Sequence, residues 1–286
     1  MEPESRYYHS QRLKLHYVVW GHGDSKPPLL LIHGNRDHAR NWDGVALRLL
    51  DRYTIYAPDL RGHGDSEWAI GGQYSLPEFV LDTCALINEL GYEKLALVGH
   101  SLGGAVALQF TGVCPERIER VVSVEGLGPR VLERRPAHQR MREWVTHMHE
   151  IEERHPREYA TLEDAIRRMQ EANPRLRPDL ARHLALHGTR RNDDGTYSWK
   201  FDNFVRTRSP YEFNIEDARV IWNQIRCPVL LIRGAESWTG DPEADDRASA
   251  FHNYRSVLIE GAGHWVHHDR LDQFVELVSE FLASEG

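Results

Sequence analysis

The chain has no apolar stretch long enough to cross a membrane. A spanning helix needs about 20 consecutive apolar residues, and no run in these 286 residues approaches that length. Residues 1–5 also lack the basic start and apolar stretch of a secretory signal. The sequence therefore predicts no membrane span, and we expect a cytoplasmic protein.

Cysteine is scarce, and positive charge is not in excess. The three cysteines, Cys84, Cys114 and Cys227, cannot all pair, so we expect reduced packing residues and no disulfide framework. The formal net charge of −8 argues against nucleic acid as a partner, because phosphate binding needs a basic surface. The other totals, 41% hydrophobic and 27% charged residues, are ordinary for a globular protein.

Short apolar runs alternate with helical patterns along most of the chain. Pro28–Ile32 is continuously apolar, which is typical of a strand buried on both faces, whereas residues 12–20 alternate and predict a half-exposed edge strand. Further strands are predicted at 53–56, 94–98, 120–124, 228–233 and 255–259, and helices at 41–50, 76–90, 102–113 and 271–283. This alternation predicts an α/β fold with a mostly parallel, twisted sheet covered by helices.

The alternation stops at about residue 129 and resumes at about residue 215. The segment between them is rich in Arg, Glu and His, with helices predicted at 136–153, 161–172 and 178–187 and no convincing buried strand. We therefore expect residues 1–128 and 215–286 to form the core domain. Residues 129–214 are then a helical lid, inserted over the C-terminal edge of the sheet.

Residues 98–104 (VGHSLGG) carry the clearest chemical signal. They follow an apolar run, and glycines on both sides of Ser101 allow a sharp turn between a strand and a helix. Such a turn raises a hydroxyl beside a helix N-terminus, where unpaired N–H groups suit an oxyanion. Ser101 is therefore the candidate nucleophile, and the Leu102 amide is a candidate oxyanion donor.

A serine hydroxyl needs a base, and the candidate is His264. It follows the last predicted strand in the context Gly-Ala-Gly-His, which lets the loop bend back to the same sheet edge. His267 and His268 are nearby but are better placed at the start of the final helix. A second oxyanion donor is expected from the loop His33-Gly34-Asn35, through the Asn35 amide.

Together these motifs resemble the α/β-hydrolase superfamily. His33-Gly34-Asn35, residues 59–66, residues 99–103 and Gly263-His264-Trp265 stand in that family's order and spacing, from about residue 10 to the end. The resemblance implies an α/β-hydrolase fold with an inserted cap, a catalytic triad, and neither a cofactor nor a metal. The loop at residues 61–66 is expected to be a structural turn near the mouth of the site.

The orienting acid departs from the common family pattern. Ser237 and Trp238 occupy the positions where an aspartate usually stands. The first candidate is Glu125, which follows the strand after the Ser101 helix, an end from which some family members take their acid. Asp241 and Glu236 stay open as alternatives.

The expected activity is hydrolysis of a carboxylic ester or lactone through an acyl-enzyme on Ser101. Dehalogenation and epoxide opening use an aspartate nucleophile in this family, which Ser101 cannot replace. Carbon–carbon bond hydrolysis, perhydrolase or amidase chemistry, and a non-catalytic receptor stay open. A homodimer is also left open by the sequence. Aromatic side chains near the lid predict a pocket that accepts a hydrophobic substrate part, with four tryptophans as candidate lining residues: Trp42, Trp144, Trp238 and Trp265.

Overall fold

The computed structural model describes residues 1–21, 26–128, 135–154, 156–207, 209–211, 213–244 and 246–284. The strands are β1 (Glu4–Ser10), β2 (Leu13–Trp20), β3 (Pro28–Ile32), β4 (Thr54–Pro58), β5 (Leu95–His100), β6 (Ile118–Val124), β7 (Glu158–Tyr159), β8 (Thr189–Arg191), β9 (Tyr197–Trp199), β10 (Val229–Gly234) and β11 (Tyr254–Ile259). The helices are α1 (Asp43–Leu49), α2 (Leu76–Leu90), α3 (Leu102–Val113), α4 (Ala137–Glu152), α5 (Leu162–Ala172), α6 (Pro178–Gly188), α7 (Ile215–Trp222), α8 (Val266–Asp269) and α9 (Leu271–Ala283).

Eight strands form one twisted sheet in the order β1-β2-β4-β3-β5-β6-β10-β11. Every pairing from β4 to β11 is parallel, and only β1 with β2 and β2 with β4 are antiparallel. The expectation that residues 12–20 form an edge strand is wrong, because β1 pairs along β2 and takes the edge. In β1 only Tyr8 and Ser10 are buried, so its sequence carries too little apolar periodicity to reveal a strand.

The sheet separates two hydrophobic layers. Leu30 and Ile32 of β3 face one layer, which also contains residues of α2, α3 and α7, whereas Leu29 and Leu31 face the layer formed with α1 and α9. Successive side chains of a strand point to opposite faces, so a strand covered on both sides is apolar throughout. This explains the unbroken apolar run of β3.

The segment between β6 and α7 contains α4, α5 and α6, close to the predicted helices. It also contains a three-stranded antiparallel sheet in the order β7-β9-β8, which the sequence analysis did not predict. These strands span two or three residues each, too short for a periodic pattern. The predicted start of the insertion, residues 129–134, lies outside the described residues. No helix in the described ranges combines the length and apolarity required of a membrane span.

A buried ion pair fixes the loop after β4 to α2. The Arg61 guanidinium donates to both carboxylate oxygens of Asp82, at 2.6 Å each, and both side chains are almost fully buried. Planar guanidinium and carboxylate groups match in this two-bonded geometry. Arg61 thus anchors the loop after β4, whose next residues lie beside the edge of the sheet where the active site is proposed.

Replacing Asp82 with alanine should destabilise the fold by about 3–5 kcal/mol, because it leaves a buried guanidinium without its main counter-ion. Urea unfolding would measure this loss. The double variant Arg61→Leu/Asp82→Leu is the control and should lose less, since it leaves no buried charge unpaired. A loss below about 1 kcal/mol for Asp82→Ala would contradict this account.

Candidate active site

Ser101 lies in a strained turn between β5 and α3. Its φ of 51° and ψ of −114° are unusual for a residue with a side chain. The turn requires glycine at position 99, because a Cβ there would lie 2.2 Å from the carbonyl oxygen of Gly103. The Ser101 amide donates to the carbonyl of Val124 at 2.8 Å, which fixes the turn to the end of β6. The predicted serine turn is therefore present, at the C-terminal edge of the sheet.

His100 connects this turn to the loop that carries His264. Its Nε2–H donates to the main-chain carbonyl of His264 at 2.9 Å, and the two imidazole centroids are 4.9 Å apart. Burial, followed by the nearby charge of His264, keeps the pKa of His100 well below its ordinary value. A neutral His100 therefore holds the His264 loop beside Ser101.

The Glu125 carboxylate faces His264. Its side chain is fully buried, and Oε2 lies 3.5 Å from Nδ1 of His264. Its Oε1 accepts from the Gly234 amide at 2.7 Å, and its Oε2 accepts from the hydroxyls of Ser237, at 2.9 Å, and Thr239. Three neutral donors thus hold a buried carboxylate next to the imidazole.

The two alternative acids point elsewhere. Asp241 is half exposed and lies 3.9 Å from the Arg233 guanidinium. Glu236 is also half exposed and pairs with Arg175 at 2.5 Å. Of the three carboxylates considered, only Glu125 has a contact with His264 among the described residues.

His33 fixes the peptide group that carries the Asn35 amide. Its Nδ1–H donates to the Gly34 carbonyl at 2.7 Å, and its Nε2 accepts from the Leu60 amide at 3.0 Å. Burial lowers the pKa of His33 to about 3, so the ring stays neutral near pH 7. In a trans peptide, anchoring the Gly34 carbonyl points the Asn35 N–H to the opposite side.

The two candidate oxyanion donors lie on either side of the serine turn. A Cβ on Gly34 would be 3.3 Å from the Ser101 Cβ, so the Asn35 loop passes directly against the turn. The Leu102 amide opens α3, where the first N–H groups of a helix have no helical acceptor. Within the described ranges, neither the Asn35 nor the Leu102 amide donates to another protein group. Both are available to a ligand oxygen.

Comparison with known proteins assigns this chain to a family. The sequence profile described as the alpha/beta hydrolase family matches residues 29–277, which is most of the chain. The chain belongs to the alpha/beta hydrolase family. The predicted fold, with its mostly parallel sheet flanked by helices, is thereby confirmed.

The individual proteins that this alpha/beta hydrolase resembles share a low sequence identity with it or match only part of it. The esterase Rv0045c of Mycobacterium tuberculosis is 29% identical over 261 residues, which is 90% of this chain and 83% of that protein. The uncharacterized protein Rv2715 of M. tuberculosis is 40% identical over 104 residues, so the chain spans only 30% of its length. The crystal structure of the hypothetical protein PA1622 from Pseudomonas aeruginosa has a TM-score of 0.87 and 27% identity, covering 98% of this chain and 100% of that one.

The four predicted pocket tryptophans have different environments. Trp42 is fully buried and stacks on His267, with ring centroids 4.5 Å apart, so its expected place in the pocket lining is wrong. Trp265 packs against a small cluster that contains Leu176 and Leu184 of the inserted segment. Trp144 is half-buried on α4. Trp238 stacks on the imidazole of His264 at 4.9 Å and is 78% exposed, which leaves its other face open to a ligand.

A buried polar chain that the sequence analysis missed lies behind the Asn35 loop. The Asp37 carboxyl accepts from the Asn41 amide group, and the Asn41 oxygen accepts from Nε2 of His267 at 2.6 Å. Burial raises the pKa of Asp37 to about 8 and lowers the pKa of His267 well below its ordinary value. At pH 7 the hydrogen-bonded side chains of Asp37, Asn41 and His267 are therefore mostly uncharged.

The pKa of Asp37 makes stability depend on pH. The folded protein holds this proton more tightly than the unfolded chain, so wild-type stability should fall as pH rises from about 4 to about 8. The Asp37→Asn variant cannot ionise there, so its stability relative to wild type should increase across that window by a few kcal/mol at most. Thermal unfolding of both proteins at pH 5 and pH 8.5 measures the difference. Parallel changes in the two proteins would contradict a protonated Asp37.

Among the described residues, one cluster has metal-ligand composition: His16, Asp59 and Asp65, whose ligand atoms lie within 4.8 Å of one another. The Asp59 oxygens already accept from the amides of Ala39, at 2.6 Å, and Asp65, at 2.8 Å, and from His16 Nδ1 at 2.7 Å. Because its buried oxygens are used by protein donors, this cluster fits a structural role better than a metal site.

Proposed function

We propose that this alpha/beta hydrolase is a serine hydrolase of carboxylic esters or lactones that uses no cofactor. The observation that supports it most is the buried Glu125 carboxylate, 3.5 Å from Nδ1 of His264. The same histidine loop is hydrogen-bonded to His100, the residue before Ser101. Acyl transfer requires a serine, an imidazole that accepts its proton, and a carboxylate that holds the imidazole.

In the proposed reaction, Ser101 attacks the substrate carbonyl and His264 accepts the hydroxyl proton. Glu125 keeps the proton of His264 on Nδ1, so that Nε2 is free to act as the base, and it stabilises the imidazolium that forms. The Asn35 and Leu102 amides donate to the oxyanion. His264 then returns its proton to the leaving group, and a water molecule activated by the same imidazole releases the acyl group from Ser101.

We further propose that residues 129–214 cover this site as a cap. Two contacts of the described residues support the placement. The Asn35 side chain donates to the Val205 carbonyl at 3.5 Å. Arg175, between α5 and α6, donates to the carbonyl of Gly261 at 3.1 Å, in the loop that leads to His264. The exposed indole of Trp238 supports a substrate with an apolar part.

Glu125→Gln should lower kcat for p-nitrophenyl butyrate by roughly two to four orders of magnitude, because a neutral amide neither fixes the imidazole tautomer nor stabilises the imidazolium. It should also slow labelling of Ser101 by a fluorophosphonate. Steady-state kinetics and intact-mass spectrometry measure the two effects, and the thermal midpoint shows whether the variant is folded.

Asp241→Asn and Glu236→Gln are the matched controls and should change kcat less than about threefold, since both carboxylates are exposed and pair with arginines. Ser101→Ala should be neither active nor labelled. A large loss in Asp241→Asn with a small one in Glu125→Gln would overturn the choice of acid. Labelling of Ser101 without turnover of any ester would favour a ligand receptor.

A further inference from the structure

Two arginines flank the proposed oxyanion loop. Arg36 directly follows Asn35 and has a left-handed φ of 62°. Since Gly34 packs against Ser101, two residues of chain place the Arg36 backbone within roughly 10 Å of the nucleophile. Arg206 directly follows Val205, whose carbonyl accepts from the Asn35 side chain at 3.5 Å. Both side chains therefore start at the mouth of the proposed site.

Neither arginine has a counter-ion within the described part of the chain. Carboxylates near them pair with other cations: Glu150, for example, pairs with Arg154 at 3.8 Å. The carboxyl nearest in sequence, Asp37, is turned inward to Asn41 and is mostly protonated at pH 7. Within the described ranges, two neighbouring positive charges of a protein with a net charge of −8 therefore have no counter-ion.

The Arg206 guanidinium is also held in position. It lies over the ring of Phe201 at 5.3 Å, and that ring is parallel to Trp199 within 10°. Trp199 in turn donates its indole N–H to the Tyr159 hydroxyl at 3.1 Å. Burial, together with the charges of Arg36 and Arg154, lowers the pKa of Arg206. A guanidinium that stacks on an aromatic ring beside a second arginine is oriented to bind an anionic group.

We propose that Arg36 and Arg206 form a subsite for an anionic group of the substrate, a carboxylate or a phosphate, next to the oxyanion loop. The inference rests on the proposed function, because it places the anion on the same molecule that Ser101 attacks. It restricts the proposed ester and lactone substrates, and the thioesters that the same acyl-transfer chemistry would cleave, to molecules that carry a negative charge. Arg36 and Arg206 then act on specificity through binding, and take no part in the proton transfers.

The test compares matched substrates that differ in charge. For a carboxylate in the acyl part, the pair is mono-p-nitrophenyl glutarate and p-nitrophenyl pentanoate. For phosphates in the leaving group, the pair is butyryl coenzyme A and butyryl-N-acetylcysteamine. The readout is the ratio of kcat/KM for the charged and the neutral member of each pair. In the wild-type protein, this ratio should exceed one for one of the two substrate pairs, and it should decrease with added salt.

Arg36→Gln and Arg206→Gln should each lower that ratio roughly five- to thirtyfold, as expected for loss of a charge-assisted contact. Arg206→Lys keeps the charge and should recover part of it. Arg168→Gln is the matched control, since Arg168 is an exposed arginine of α5 that pairs with Glu171 at 3.5 Å. It removes the same charge and should leave the ratio unchanged.

A change in the first pair identifies a carboxylate, and a change in the second identifies phosphates. If the arginine variants alter neither ratio, or if Arg168→Gln has the same effect, the subsite is refuted. A binding measurement distinguishes the absence of the subsite from a failure of the proposed chemistry. On the inactive Ser101→Ala protein, calorimetry should show monobutyl glutarate or coenzyme A bound at least fivefold more weakly when Arg206→Gln is added. Equal affinities for both ligands would refute the subsite without reference to turnover.

Discussion

The hydrogen bond from His100 to the His264 carbonyl connects parts of the chain that are 164 residues apart. Both groups of the proposed proton transfer depend on it, because the donor adjoins Ser101 and the acceptor is the main-chain carbonyl of His264, the residue whose side chain is the proposed base. Burial keeps the pKa of His100 well below its ordinary value, so the ring donates this bond in its neutral form. Among the described residues, the hydrogen-bond partner of the ring is this carbonyl.

The position of Glu125, the proposed acid, shows how one function could be divided between two strands. The carboxylate comes from the end of β6, while the loop after β10 supplies hydroxyls from Ser237 and Thr239 that hold it. The loop that usually carries the acid therefore still takes part, as a set of donors. Trp238, between these two residues, covers the imidazole that the carboxylate faces.

How far the sequence predicts this structure depends on how local each signal is. The ends of α2, α3 and α9 agree with the sequence analysis to the residue, because a capping residue, a glycine turn or an apolar stripe marks each of them. The turn at Ser101 was predictable for the same reason. The proposed acid was harder to choose, because three carboxylates were compatible with the sequence and the pairing of β6 with β10, which brings Glu125 and Gly234 together, is not a local signal.

Other features depend on contacts that no local pattern contains. The burial of Trp42 follows from its packing on His267, more than 200 residues away, and the Asn41–His267 hydrogen bond has the same origin. β1 was missed because most of its side chains are exposed, and the strands of the inserted segment because they are so short. The aromatic support of Arg206 likewise forms only when β7 and β9 pair.

Arg175 connects the proposed cap to the loop that carries His264. Its guanidinium joins three groups at once: the Glu236 carboxylate, the Gly261 carbonyl and Asp269, which itself accepts from the Gly263 amide. Moving the turn between α5 and α6 away from the sheet would break the three Arg175 contacts, including the one to the Gly261 carbonyl in the loop that leads to His264. Opening of the proposed cap at this turn and positioning of the proposed base would therefore be coupled through one side chain.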